Sequence, residues 1–327
     1  MKNNMIWLSA MMGLVVADAL GVPVEFSTRD DLKQNPVQGM QAYGTHGQPA
    51  GTWSDDSSMT LATLDSIHSC NGIDYKDIMD RFSGWMMYGD YTPFQYNFDI
   101  GISTSRAIIN YGRGIGATEC GGNTEQDNGN GSLMRILPIC LYLFERQKTI
   151  CTSENEAIYV IHNVSALTHA HIRSQIGCGL YFFLVKAIIE NSGSMIECLQ
   201  MGMDKGFSYY RQDFKNYPDL EYYNRLIDLG EFKITNETNI RSSGYIVHTL
   251  EAAIWCLLNS ASYEDAVLKA VNLGEDTDTV GAVTGGLAGL YYGYDNIPKV
   301  WINTIQKKDW VEEIITGKLV DLFNKDE

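Results

Sequence analysis

Basic side chains are scarce in this sequence. Its 327 residues hold 24 Lys and Arg against 40 Asp and Glu, a formal net charge of −16. Phosphate backbones are bound by clustered cations, so nucleic acid and anionic membrane surfaces are excluded as principal partners. The seven cysteines (Cys70, Cys120, Cys140, Cys151, Cys178, Cys198 and Cys256) include no C-x-x-C pair. That argues against a zinc ribbon or a disulfide framework and for a reducing cytoplasm. Strand-like alternation bounded by turn residues is nearly absent, as are low-complexity tracts and Pro/Ser-rich linkers. No uninterrupted apolar run reaches membrane-spanning length; Leu180–Ile189 is broken by Lys186, and no membrane association is expected.

The N-terminus admits two readings. Lys2, the apolar stretch Met5–Ala17 and the small-residue run Ala17-Asp18-Ala19 fit a signal peptide. Gly13, Ala17 and Gly21 at four-residue spacing fit equally well a buried helix against which another helix packs closely.

What the sequence has in abundance is helical periodicity. In the C-terminal segment Val311, Ile314, Ile315, Leu319, Leu322 and Phe323 follow the i, i+3, i+4 rule and leave Glu312, Glu313, Lys318 and Asp321 opposite. Similar patterns predict helices near 57–69, 74–88, 98–110, 133–145, 154–167, 172–190, 243–258, 262–271 and 278–292. The expected fold is all-α, a single compact multi-helix domain over 1–327. Three stretches read as irregular: the Gly/Pro-rich 27–54, the Gly-rich 111–131, and the polar, tyrosine-rich 203–242. Long loops in a compact domain tend to carry function.

Two helix starts beside those loops are acidic. Ser54-Asp55-Asp56-Ser57 opens one apolar segment and Asp276-Thr277-Asp278-Thr279 another. N-capping explains a single oxygen at each, because free backbone N–H groups and the helix dipole favour it. Each cluster instead brings two carboxylates within three positions, a repulsion that a cation would relieve. Gly281, Gly285 and Gly289 mark the second helix as central, where carboxylates need partners. The donors are all oxygen, which favours Mg²⁺ or Mn²⁺ over zinc.

With these clusters the sequence resembles the ADP-ribosylglycohydrolase family. The matching segments are Ala17–Phe26, Gly51–Thr60, Asn128–Arg135, Thr168-His169 and Asn272–Gly281, in the family's order over nearly the whole chain. Departures are Ala17 in place of a commoner Gly, Ser54 and Ser57 in place of Thr, and Glu275 in place of a frequent second Gly. The resemblance implies an all-α fold with two divalent ions, Mg²⁺ or Mn²⁺, at the floor of an ADP-ribose cleft. The ligands it implies are Ser54, Asp55, Asp56, Asp276, Asp278 and Thr279, with Glu25 as acid/base and Asp56 essential to catalysis. Gly129, Asn130, Gly131, Ser132, Met134 and Arg135 suit a phosphate-and-ribose loop entering a helix. His169 is expected to contact substrate, and Tyr245 to stack near it; His46, His68, His162, His171 and His248 read as structural. Cleavage after Ala19 would remove part of a family motif, so the buried-helix reading prevails and the protein is expected in the cytoplasm. A mature chain beginning near Gly21 would overturn it.

The activity implied is hydrolysis that frees ADP-ribose from a modified acceptor, foremost ADP-ribosylated arginine on a protein or a small ADP-ribose conjugate. The alternative is an immunity-type or regulatory protein that binds and blocks an ADP-ribosylating toxin, with 203–242 as its partner surface. A metal-dependent phosphohydrolase acting on the diphosphate is a third reading.

Overall fold

The computed structural model describes residues 2–150, 152–213 and 215–317. The first helices are α1 (Lys2–Gly21), the short α2 (Arg29–Gln34), α3 (Asp55–Cys70), α4 (Tyr75–Tyr88) and α5 (Ile102–Gly112). Next come α6 (Leu137–Ile150), α7 (Glu154–Ala166), α8 (Ile172–Glu190), α9 (Met195–Arg211) and the short α10 (Leu229–Lys233). They are followed by α11 (Ile246–Leu258), α12 (Tyr263–Val271), α13 (Thr277–Tyr292), α14 (Lys299–Thr304) and α15 (Lys308–Thr316). Among the described residues the only β pairing is three isolated bridges, Tyr43 with Gln48, Gly122 with His169 and Gly129 with Tyr245. The expected all-α fold is therefore the one observed. Leu319, Leu322 and Phe323 lie outside the described residues.

The centre of the fold is the pair α1 and α13. Both are apolar on every side, as befits a helix surrounded by protein. They touch through small residues: a Cβ added at Gly281 would lie 2.9 Å from the Ala17 carbonyl oxygen. One added at Gly285 would fall within 3.0 Å of both the Gly13 oxygen and the Ala17 Cβ. The two four-residue glycine patterns of the sequence are thus the two sides of one contact. Its end brings Gly21 against the backbone of Thr277 and Asp278, and the Thr277 hydroxyl donates to the Gly21 carbonyl at 2.8 Å.

Two expectations are corrected. The stretches 4–24 and Ile172–Glu190 are in fact long and apolar enough to cross a bilayer, because a helix tolerates scattered Ser, Gly and one or two charges. Their most apolar windows are 83% and 78% buried inside the fold, as core helices would be. The tyrosine-rich region is also not a continuous loop. Its start belongs to α9, and after Arg211 a 3₁₀ segment over Pro218–Leu226 packs back on the core. Tyr210 and Tyr223 are fully buried, their hydroxyls seated over Gly179 and Gly177 of α8, where any side chain would collide.

Candidate active site

The N-termini of α3 and α13 meet beside the C-terminal end of α1. Ser54 caps α3, its oxygen accepting from the Asp56 N–H at 3.3 Å. Neither Asp55 nor Asp56 serves as that cap, and Asp276, at the cap position of α13, makes no capping hydrogen bond. The carboxylates are therefore surplus to helix capping. Asp56 is fully buried; its Oδ2 lies 3.0 Å from the Ser54 hydroxyl oxygen and accepts from the Thr279 hydroxyl at 3.3 Å. Its Oδ1 and the Oδ2 of buried Asp278 have no hydrogen-bond partner. Orphaned carboxylate oxygens in an interior are costly unless a cation takes them.

Asp18, in the last turn of apolar α1, is the support for this arrangement. It accepts from the backbone N–H of Ser54 at 3.0 Å and of Ser57 at 3.0 Å. It also accepts from the Ser54 hydroxyl at 2.9 Å and the Ser57 hydroxyl at 2.5 Å. Both oxygens are engaged, so Asp18 holds the start of α3 in place. The Ser residues standing where Thr is common keep the hydroxyls this network uses. One oxygen each of Asp18, Asp56 and Asp278 lie within 4.8 Å of one another, as do those of Glu25, Asp276 and Asp278.

A third group combines Glu25 and Asp99 with a ring nitrogen of His46. Glu25 follows a 3₁₀ turn after α1, and its Oε2 makes a short hydrogen bond with His46 Nε2. Nothing in the sequence signals that His46, read there as structural, stands against Glu25. Burial, and then the neighbouring Asp99 and Asp276, push the Glu25 carboxyl up to about 7 against the pull of His46. Burial holds Asp18 up to about 6. Asp55, Asp56 and Asp278 are pushed well above the usual carboxylate range, by burial first and mutual repulsion second. So many carboxyls cannot ionise together here without positive charge.

Above this floor opens a cleft of about 640 Å³, within the range of small-molecule sites. Glu25, Asp55, Asp99, Asp276 and Thr279 line its base, while Ser54, Asp56 and Asp278 lie beneath. Gly129, Asn130, Gly131 and Met134 form one wall with His169. The wall is fixed by pairing with the segment before α11: Asn130 N–H donates to the Gly244 carbonyl and Ile246 N–H to Asn128, both at 3.0 Å. The Asn130 side chain donates to Asp276 at 2.6 Å, joining wall to floor. Gly129 and Gly131 flank the His169 imidazole so closely that a Cβ at either would press on the ring.

Ser132, Arg135 and Tyr245 do not reach the cleft. Ser132 is buried beside Cys178 and Ser165. Arg135 is fully buried, its guanidinium 4.7 Å from the Phe82 ring centre and its Nη2 donating to Thr168 Oγ1 at 2.8 Å and the Val164 carbonyl at 3.2 Å. Thr168 Oγ1 lies 2.9 Å from His169 Nδ1. With Arg135 donating to that oxygen, the hydroxyl proton is assigned to Nδ1, which leaves Nε2–H turned toward the cleft. Burial, then the Arg135 charge, hold His169 down to about 3, so the ring is neutral. Arg135 is thus a positioning residue for His169, neither paired with an acid nor open to a diphosphate. Tyr245 accepts from Arg173 at 3.1 Å and faces a separate cavity with Tyr222, Arg225 and His248.

Sequence reasoning missed Asp18, His46 and Asp99. Asp18 did carry a signal, a lone carboxylate within an apolar helix. His46 sits in a Gly/Pro-rich segment and had none; Asp99 falls within the helix expected over 98–110, but the helix starts only at Ile102 and leaves Asp99 in the irregular segment before it.

A profile of the ADP-ribosylglycohydrolase family matches residues 7–327. The chain is 32% identical over 306 residues to the ADP-ribosylarginine hydrolase Tri1 of Serratia proteamaculans, covering 93% of this chain and 76% of that one. It is 28% identical over 310 residues to the ADP-ribosyl-[dinitrogen reductase] glycohydrolase of Rhodospirillum rubrum, covering 92% and 90%. A solved structure described as an ADP-ribosylglycohydrolase-related protein complex superposes with a TM-score of 0.76 at 28% identity, over 97% of this chain and 98% of that one.

Proposed function

As the chain belongs to the ADP-ribosylglycohydrolase family, we propose that it hydrolyses the N-glycosidic bond between ADP-ribose and an arginine side chain of a modified protein. Kinship with an ADP-ribosylarginine hydrolase supports the acceptor. The observation that carries the chemistry is the pair of orphaned, buried oxygens, Asp56 Oδ1 and Asp278 Oδ2, at the floor of a cleft without a lining Lys or Arg.

The donor set fits hard divalent ions: Ser54, Asp55, Asp56, Asp276, Asp278 and Thr279 would hold them as Mg²⁺ or Mn²⁺. Bound there, two ions supply Lewis acidity and the positive charge that this crowd of carboxylates calls for. The chain's own groups do the rest. Asp18 fixes the start of α3, and Asn130 fixes Asp276 against the wall. Neutral His169 offers its Nε2–H to a ligand hydroxyl or carbonyl, while Met134 gives apolar surface. Glu25, poised near neutrality and oriented by His46, can take a proton from an attacking water or return one to the leaving nitrogen. Asp99 lines the same base beside Glu25 and His46. A cytoplasmic location is part of this reading, consistent with the six described cysteines, all free thiols.

The test supplies purified protein with Mg²⁺ or Mn²⁺ and an arginine-ADP-ribosylated protein and identifies products by mass. Intact ADP-ribose and restored arginine are expected, with Asp56→Asn inactive; AMP-type fragments would refute the reading.

A further inference from the structure

Two residues at the cleft rim hold backbone conformations that disfavour any residue with a Cβ. Phe26 has φ of 64° and Glu275 φ of 63°, both in the left-handed region. They are locked side by side: Phe26 N–H donates to the Glu275 carbonyl at 2.7 Å, and Glu275 N–H donates to the Ser27 carbonyl at 2.9 Å. Both line the cleft, and both are exposed, Phe26 by 67%. Among the described residues no hydrogen bond or ion pair engages the Glu275 carboxylate, and it stands outside the three groups that could hold a cation. The cleft therefore presents, at its mouth, one unengaged carboxylate beside one exposed aromatic ring.

That combination matches a guanidinium. The group is planar, stays charged after N-glycosylation, pairs with carboxylates through two parallel N–H bonds and stacks on aromatic faces. We propose that Glu275 and Phe26 form the acceptor subsite, the carboxylate pairing with the guanidinium of the ADP-ribosylated arginine and the Phe26 ring packing on its plane. The inference rests on the arginine reading above and assigns it to two residues that touch the acceptor alone. ADP-ribose itself has no cation for Glu275 to bind.

The experiment compares kcat/KM for an arginine-ADP-ribosylated peptide with the inhibition constant of free ADP-ribose, which lacks the acceptor. Glycine suits a positive φ, so Glu275→Gly keeps the fold, and Glu275→Gln removes only the charge. Both are expected to lower kcat/KM about tenfold or more and leave inhibition by ADP-ribose within twofold; Phe26→Leu should do the same to a smaller degree. Equal losses in both measurements, as a merely structural role would give, overturn the proposal, and so does an unchanged kcat/KM. A wild-type protein that leaves the arginine linkage intact overturns the parent reading. An active wild type with insensitive variants overturns the subsite alone.

Discussion

Replacing Gly285 by alanine tests whether the contact between α1 and α13 sets the position of the site. In an isolated helix the change would stabilise by about 1 kcal/mol. In the fold the new methyl would fall within 3.0 Å of the Gly13 oxygen and the Ala17 Cβ, whereas ordinary contact begins near 3.4 Å. Neither neighbour is the end of a flexible side chain, so α13 must move from α1 by about half an ångström or more. Overpacking of this kind costs about 1–3 kcal/mol. Two clashes place it at the upper end, for a net loss of about 2 kcal/mol after the propensity gain is subtracted. For a chain of this length that is a fall of about 3 °C in Tm. Gly281→Ala, with one 2.9 Å approach, should be close to neutral, and Gly112→Ala, with nothing within 4 Å, neutral or stabilising. Because α1 carries Asp18 and α13 carries Asp278 with Asp276 at its cap, misplacement should also lower turnover, by up to about 10²-fold. Urea and thermal unfolding of the three variants give the order. A Gly285→Ala protein as stable and active as wild type would refute the close-contact argument.

Other perturbations separate the groups at the floor. Glu25→Gln is expected to bind metal and ADP-ribose as wild type does while kcat falls at least 10²-fold, read by calorimetry and steady-state kinetics; unchanged kcat removes Glu25 from the proton transfer. Asp18→Asn breaks the support of Ser54 and Ser57, so saturating Mg²⁺ or Mn²⁺ should no longer raise Tm by the several degrees that about 2.7 kcal/mol of binding at 100 times Kd gives wild type. A full metal-dependent shift in that variant would contradict the supporting role. His162, stacked on Tyr210, is held down to about 4 by burial. Below pH 6.5 the unfolded chain takes up a proton that the native ring refuses, so stability falls as the pH drops from 6.5 toward 4, by up to about 2 kcal/mol at pH 5. His162→Gln, which cannot titrate, should lose less stability between pH 7 and 5 in urea unfolding; an identical loss would exclude His162 as the source.

The sequence by itself determined the helices and the clusters that open two of them. Periodicity survives in the primary structure because a helix repeats it every 3.6 residues, and a doublet such as Asp55-Asp56 is already adjacent there. The glycine rows of α1 and α13 were also legible, since only small residues allow backbones so close. Helix α9 was overlooked for the converse reason. Its buried face includes Gly202 and Gly206, which interrupt the apolar pattern where α8 presses in, with Leu184 Cα 2.9 Å from a Cβ at Gly202. Only the tertiary structure decided which charges meet. Glu25, His46 and Asp99 come from three irregular segments, and nothing local in sequence fixes the distance between groups so far apart in the chain. It also decided that Arg135 steadies His169 from below while Tyr245 faces another cavity. Which side of a wall a side chain occupies depends on the helices packed behind it, and those are brought together by burial rather than by sequence order.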